Sequence, residues 1–184
     1  LDAIIGQDPL DAETWDINGG WTTREQLNDM EFEAYEELVR WMAGLPLYAV
    51  AETDERPYLL VHAGIEMEAA RAFLLEHGVD CSDGAGAVDA DRELLKQMLA
   101  VQSSDDLLWI RHGYWDAPTG LLSAEGKGPV VVSGHTPTVS LGRYCEVGGL
   151  AGLDEESGRG QIVRLGGEDT AGVPDRIAID CAAA

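Results

Sequence analysis

The stretch that decides the fold of this chain is Val130-Val131-Val132-Ser133-Gly134-His135-Thr136-Pro137-Thr138. It begins with an uninterrupted apolar run, which is typical of a strand buried on both faces of a sheet. We therefore predict a strand over residues 129–133. Gly134 and Pro137 punctuate the segment that follows. His135 is thus expected in the loop just beyond the strand, where binding and catalytic residues are often placed.

A second histidine has nearly the same surroundings. His62 follows the apolar segment Tyr58-Leu59-Leu60-Val61 and precedes Ala63 and Gly64. Small residues beside the imidazole leave room for a bulky group to approach. A single histidine at a strand end is more often a hydrogen-bonded structural residue than a ligand. Two histidines in matched positions, delivered by two strands of one sheet, instead favour a metal site.

The other two histidines lack this setting. His77 precedes Gly78 in the last turn of a predicted helix, where a cation interacts favourably with the helix dipole. His112 follows Arg111 in a polar loop. We therefore expect neither His77 nor His112 to be a metal ligand.

Helices and strands are predicted to alternate around the two matched histidines. The segment Thr22-Thr23-Arg24-Glu25 has the pattern of a capping box and starts an amphipathic helix over about 23–43, which Gly44 and Pro46 end. Two short strands, over 47–51 and 58–61, are predicted to form a hairpin. Further helices are predicted over 67–76 and 89–101, and further strands over 161–165 and 176–180, joined by a loose hairpin connection.

Composition limits the class of protein. A chain of 184 residues with 45% apolar content is long enough to form one compact domain, and we assign residues 1–184 to one. The net charge of −22, with only 12 basic residues, opposes binding to nucleic acid or to anionic membranes. It also repels phosphorylated substrates, unless local cations such as divalent metals offset it. The acidic residues alternatively do no more than keep the protein soluble.

Cysteine usage and hydropathy indicate a location. Cys81, Cys145 and Cys181 lack the spacing of metal ligands, which favours a reducing compartment, the cytoplasm. No apolar run is long enough to span a bilayer, and no basic, apolar leader is seen at the N-terminus. We therefore expect a cytoplasmic protein without a membrane partner.

Five segments occur in an order that one protein family shares. They are Trp15-Asp16-Ile17-Asn18-Gly19-Gly20-Trp21-Thr22-Thr23, His62-Ala63-Gly64, Trp109-Ile110-Arg111, Ser133-Gly134-His135-Thr136-Pro137-Thr138 and Arg176-Ile177-Ala178-Ile179-Asp180-Cys181. Together they resemble the C-terminal part of the calcineurin-like metallophosphoesterases, and in particular the bacterial members of the serine/threonine phosphoprotein phosphatase family. The resemblance covers essentially the whole chain.

This resemblance implies a fold, an activity and a site. The fold is of the mixed α/β (α+β) class, a β-sandwich of two mixed sheets flanked by helices, here without its N-terminal strands. The activity is phosphoester hydrolysis by water held on two divalent ions, with Mn, Fe or Zn suited to imidazole ligands. His62 and His135 are then ligands of the same ion. Arg111 binds the substrate phosphate through its planar guanidinium, although a surface ion pair is the alternative for this residue.

The chain departs from the family in one large respect. The family's first three motifs, Gly-Asp-x-His-Gly, Gly-Asp-x-x-Asp-Arg-Gly and Gly-Asn-His-Glu, are absent from the sequence. Two imidazoles alone do not assemble a dinuclear centre, and Asp54, Asp106 and Asp180 lack the context of the missing motifs. We therefore expect the C-terminal part of a phosphatase domain, cut at both ends and inactive alone, with the missing motifs upstream of Leu1.

Three functions remain open. The leading one is a metal-dependent phosphatase of the serine/threonine type, acting on a phosphorylated protein or a small phosphoester. Dinucleoside polyphosphate hydrolases share these motifs, although the sequence offers no aromatic pair clearly placed to stack a base. The third is a non-catalytic binding domain in which the phosphatase fold has lost its metals. The sequence leaves the substrate, the metal and the oligomeric state open.

Overall fold

A computed structural model of the chain describes residues 9–145 and 160–181. By internal packing the chain falls into two compact units, Leu1–Pro46 and Leu47–Ala184. The predicted fold class is confirmed, because helices accompany a mixed five-stranded sheet. That the whole chain forms one domain stays a prediction.

The first unit is helical. Helix α1, Pro9–Trp15, continues through a π-helical turn, Asp16–Gly20, into α2, Trp21–Asn28. Helix α3, Phe32–Ala43, follows after a break. The single helix predicted over 23–43 is therefore wrong.

Local hydrogen bonding and backbone conformation explain this break. The N–H of Met30 donates to the carbonyl of Leu27, which closes α2 as a turn, and Glu31 is extended at φ −62° and ψ 141°. The predicted capping box is also wrong. Thr22 lies inside α2, and its hydroxyl donates back to the carbonyl of Gly19 at 3.3 Å.

The second unit is built on one sheet with the strand order β1-β2-β3-β5-β4. Strands β2, β3 and β5 are parallel, whereas β1 and β4 pair antiparallel at the two sides. The predicted hairpin of the first two strands is confirmed. The strands are β1 Tyr48–Glu52, β2 Pro57–Val61, β3 Val130–Ser133, β4 Val163–Leu165 and β5 Arg176–Ala178.

This sheet is the only one that residues 9–145 and 160–181 form, so the second sheet of the expected sandwich is not among them. Because β2, β3 and β5 run in the same direction, their carboxyl ends meet at one edge. Loops beyond the carboxyl ends of parallel strands are where open α/β sheets bind ligands.

Three helices of the second unit pack around the sheet. They are α4 Met67–Glu76, α5 Arg92–Ala100 and α6 Ser104–Trp109. Helix α5 buries Leu95, Met98 and Leu99 in the hydrophobic core, as its apolar spacing predicts, whereas Leu94 is half-buried. Short 3₁₀ turns lie at Ser82–Gly84 and Thr138–Arg143. None of the helices in the described part of the chain has both the length and the apolar character to cross a bilayer.

Candidate metal centre

The sheet brings the two matched histidines together. His62 directly follows β2, and His135 lies two residues beyond the end of β3. The last residues of these parallel strands, Val61 and Ser133, are paired. The Nε2 atom of His62 lies 3.0 Å from the Nδ1 atom of His135, and the ring centroids are 4.8 Å apart. The two imidazoles therefore face each other at the carboxyl edge of the sheet.

The backbone of His135 has an uncommon conformation. Its φ is +61°, and the N–H of Thr136 donates to the carbonyl of Gly134 at 2.6 Å, which closes a tight turn. Positive φ is uncommon for a residue with a side chain, and a strained position of this kind costs about 1–3 kcal/mol. Such strain persists where the surrounding structure enforces it, often at functional sites.

The surroundings of His135 keep its ring neutral. The pKa of His135 is lowered to about 4, chiefly by burial and further by the charge of Arg111 and by His62, whereas Asp180 opposes the shift. A neutral imidazole presents one donor nitrogen and one acceptor nitrogen. The Nε2 atom of His135 is buried, and no hydrogen-bond partner for it is found among the described residues. A neutral ring keeps a lone pair on one of its nitrogens, and Nδ1 is the nitrogen that faces His62.

The spacing of the two imidazoles fits shared coordination of an ion. Zinc binds imidazole nitrogen at about 2.0–2.1 Å, so two nitrogens on one ion lie about 2.9 Å apart at a right angle and about 3.4 Å apart in a tetrahedral shell. The observed separation of 3.0 Å falls within that range. A direct N–H···N hydrogen bond has the same length. The distance between His62 and His135 is therefore compatible both with shared coordination of an ion and with a direct hydrogen bond between the two rings.

The described residues supply only part of a coordination shell. Within residues 9–145 and 160–181, no three His, Cys, Asp or Glu side chains are grouped closely enough to hold an ion.

Asp180, which was not predicted to be a ligand, also lies at the carboxyl edge of the sheet. It lies two residues beyond the end of β5, the same offset that His135 has from β3. Its carbonyl accepts the N–H of Thr138 at 2.8 Å, so the chain beyond β5 runs beside the loop of His135. Its carboxylate is close enough to raise the pKa of His135. The signal in the sequence was a polar residue just past an apolar strand.

Arg111 reaches the same edge from a different element. Helix α6 ends at Trp109, whose ring stands edge-on to the ring of His135 with centroids 5.4 Å apart. The half-buried Arg111 follows two residues later, and its charge helps to lower the pKa of His135. Its Nη1 donates to the carbonyl of Trp109 at 3.5 Å. In the described part of the chain no acidic side chain pairs with Arg111. The surface ion pair considered as its alternative role is not observed there.

The space that small residues open beside His62 is occupied by protein. A Cβ atom on Gly64 would lie 2.7 Å from the ring of Tyr114 and 2.8 Å from Ile110. The N–H of Ala63 also donates to the carbonyl of Leu107 in α6 at 2.8 Å. The predicted opening for a bulky group is therefore wrong at this position. Gly64 instead lets the segment that carries Arg111 pack against the loop of His62.

The two remaining histidines lie outside the pair. His77 stacks on Phe73 at a centroid distance of 4.1 Å, and its Nδ1 contacts the Phe73 carbonyl. His112 stands edge-on to Tyr144 at 5.1 Å. The structure thus gives both His77 and His112 partners other than the paired histidines.

Fold and site together define a mixed α/β protein with a histidine pair and an arginine at the carboxyl edge of its parallel strands. Comparisons of the chain with protein-family models, curated proteins and solved structures found no match. The resemblance to metallophosphoesterases therefore rests on the five sequence segments.

Proposed function

We propose that this chain belongs to a metal-dependent phosphoester hydrolase of the calcineurin-like, serine/threonine phosphatase type. The observation that carries the proposal is the pair of imidazole nitrogens 3.0 Å apart at the carboxyl edge of the parallel strands. The Arg111 guanidinium supports it, because its charge helps to lower the pKa of His135. Imidazoles that hold a cation and a guanidinium that binds an anion are two of the parts that metal-dependent hydrolysis of a phosphoester uses.

His62 and His135 would hold one of two divalent ions, and Mn, Fe or Zn suits imidazole ligands. When bound, such an ion polarises a phosphate oxygen and lowers the pKa of water. The protein's own contribution is to place the two imidazole nitrogens 3.0 Å apart and to keep the ring of His135 neutral. The lowered pKa of His135 serves this purpose, because a protonated ring has no lone pair for a metal.

Arg111 would bind the substrate phosphate. Its guanidinium offers parallel N–H donors to two phosphate oxygens, and no carboxylate among the described residues competes for it. The cationic charge also offsets the field of a chain that carries a net charge of −22. The substrate would be a phosphorylated protein or a small phosphoester. The free thiols of Cys81, Cys145 and Cys181 support a cytoplasmic location.

A second function is favoured by one observation. The 3.0 Å contact of His62 with His135 is also the length of a direct hydrogen bond, which would serve in a non-catalytic domain of the same fold. Metal binding separates these two functions, because a structural hydrogen bond requires no ion.

Calorimetric titration of residues 1–184 with Zn²⁺ and with Mn²⁺ tests the proposal. We expect one metal site on the chain, with an affinity at least tenfold lower in His62→Ala. Loss of a residue that only supports a metal ligand already lowers affinity about tenfold or more, so loss of a ligand should cost at least that much. His77→Ala is the matched control, because His77 packs on Phe73 and lies outside the pair. A chain that binds the ions equally well without His62 would contradict the proposal, because the ions would then be held by other residues.

A further inference from the structure

We propose that Arg176 is a positioning residue, which fixes the turn that carries Arg111 against the loop that carries His135. The Arg111 turn is defined as residues 111–115. The role of Arg111 in phosphate binding rests on the proposed function, whereas the way its turn is held does not.

Arg176 reaches the Arg111 turn from inside the protein. It is the first residue of β5 and only 5% exposed. Its Nη1 donates to the carbonyls of Tyr114 and Trp115 at 2.7 and 2.9 Å. Its Nε donates at 3.2 Å to the carboxylate of Asp175, which is 2% exposed. The buried charge of Arg176 is therefore paired with Asp175, and the same guanidinium also donates to two successive carbonyls.

The hydrogen bonds from Arg176 also constrain Arg111 through the main chain. The N–H of Trp115 donates to the carbonyl of Arg111 at 3.2 Å, which closes the turn. Fixing the backbone at Trp115 therefore fixes the backbone at Arg111. A lysine at position 176 would present a single ammonium in place of the fork that serves two carbonyls and a carboxylate at once.

The same aromatic residues are also tied to the strand and loop of His135. The indole Nε1 of Trp115 donates to the hydroxyl of Thr136 at 3.1 Å, and Thr136 is 1% exposed. The hydroxyls of Tyr114 and Ser133 share a hydrogen bond of 3.0 Å. Arg176 thus holds the turn from β5, while Trp115 connects it to the residue after His135. Buried hydrogen bonds therefore fix the position of the Arg111 turn relative to the loop of His135, although the two are distant in sequence.

Hydrogen exchange measured on residues 1–184 tests the inference. Thr136→Val removes the hydroxyl that accepts the Trp115 indole and keeps the shape of the side chain. Loss of one hydrogen bond of ordinary strength should speed amide exchange in the Arg111 turn about fivefold to tenfold. Thr136→Ser should restore slow exchange. Trp115→Phe removes the donor instead and also leaves a cavity, because Trp115 is 1% exposed, so it should speed exchange in the Arg111 turn at least as much as Thr136→Val. Arg176→Lys should also speed exchange at least as much as Thr136→Val.

Ser123→Ala is the control for loss of a buried hydroxyl, because Ser123 bonds Glu125 and Lys127 in another turn. Amide exchange in the Arg111 turn of the Ser123→Ala protein should equal that of the wild type. Unchanged exchange in both Thr136→Val and Trp115→Phe would overturn the inference. So would equal acceleration throughout β3, because general loosening is not positioning.

Titration with inorganic phosphate in the presence of Zn²⁺ gives the second readout. If the turn loosens and phosphate binds at least fivefold more weakly, Arg176 and Thr136 position the phosphate-binding group. If the turn loosens while phosphate affinity is unchanged, positioning for binding is overturned. If the wild type binds no phosphate but the turn loosens as expected, the held turn is supported and the proposed function fails.

Discussion

The backbone N–H of Gly134 donates a hydrogen bond of 2.9 Å to the carbonyl oxygen of His62. The pairing of β2 with β3 thus extends one step beyond Val61 and Ser133, into the two loops that carry the histidines. Main-chain bonds, rather than the imidazoles themselves, hold these loops side by side. Substitution of either imidazole should therefore leave the loops in place, which makes variants of this site interpretable.

Removing either histidine of the pair should weaken metal binding. We expect His62→Ala and His135→Ala each to weaken Zn²⁺ binding, and the double variant to be little worse than either single one, since residues that act as a unit are not additive. Metal analysis of the purified proteins beside calorimetric titration provides the measurement. A His135 variant that retains its full complement of metal would show that this ring is not a ligand.

Arg111 should affect phosphate and not metal. Hydrogen bonds to charged groups contribute about 1.5–3 kcal/mol, so Arg111→Ala should weaken phosphate binding by roughly 10- to 100-fold. Arg111→Lys should recover little of this loss, because a point charge does not replace a fork. Phosphate titration at saturating Zn²⁺, with metal content measured in parallel, separates the two effects. Loss of metal in the Arg111→Ala protein would place this residue at the ion instead.

Residues 1–184 alone should not turn over a phosphoester. The described residues bring only two imidazoles together, and no carboxylate joins them closely enough to complete a site. We therefore expect hydrolysis of p-nitrophenyl phosphate with Mn²⁺ to proceed no faster than in a control with metal and buffer. Clear turnover that depends on both metal and chain would mean that further ligands lie within these residues.

The metal-free chain should lose stability as the pH falls from about 6.5 to about 4. His135 has an ordinary pKa of 6.5 when unfolded and a pKa lowered to about 4 when folded. Between these values the unfolded chain binds more protons, so the free energy of unfolding decreases as the pH falls. Urea unfolding at several pH values, with chelator present, measures the slope. His135→Asn tolerates positive φ without titrating, and its slope over this window should be smaller.

Gly64 should not accept even a methyl group without a loss of stability. A Cβ atom at this position would meet Tyr114 at 2.7 Å, and overpacking of this kind costs about 1–3 kcal/mol. The midpoint of urea unfolding should therefore fall for Gly64→Ala. Gly142→Ala is the matched control, since nothing lies within 4 Å of its added Cβ atom. Equal midpoints for the two variants would show that the contact between the loop of His62 and Tyr114 is looser than described.

Much of the fold could be predicted from local patterns. The apolar run of β3 and the turn residues between β1 and β2 indicate their strands directly, and Gly78 marks the end of α4. The break between α2 and α3 could not be found in the same way, because the spacing of Leu27, Met30 and Ala34 continues across it. Backbone bonding at residues 28–31, rather than hydrophobic periodicity, decides where α2 ends.

The histidine pair could be predicted because each ring follows an apolar strand, but its supports could not. Arg176 and Asp180 reach the site only through the parallel pairing of β5 with β3, which joins distant parts of the sequence. No spacing rule indicates that a strand residue such as Arg176 is buried and bonds carbonyls of a remote turn. The buried polar contacts around the site therefore had to come from the three-dimensional structure.

The positive φ of His135 opposes backbone stability to the metal-binding role proposed for this residue. A sequence optimised only for stability would place glycine or asparagine there, since both adopt this conformation more readily. Automated redesign of this backbone for thermal stability would thus tend to erase the histidine first. Proteins retain such locally unfavourable choices where an activity depends on them. Position 135 should therefore be held fixed when this chain is stabilised by engineering.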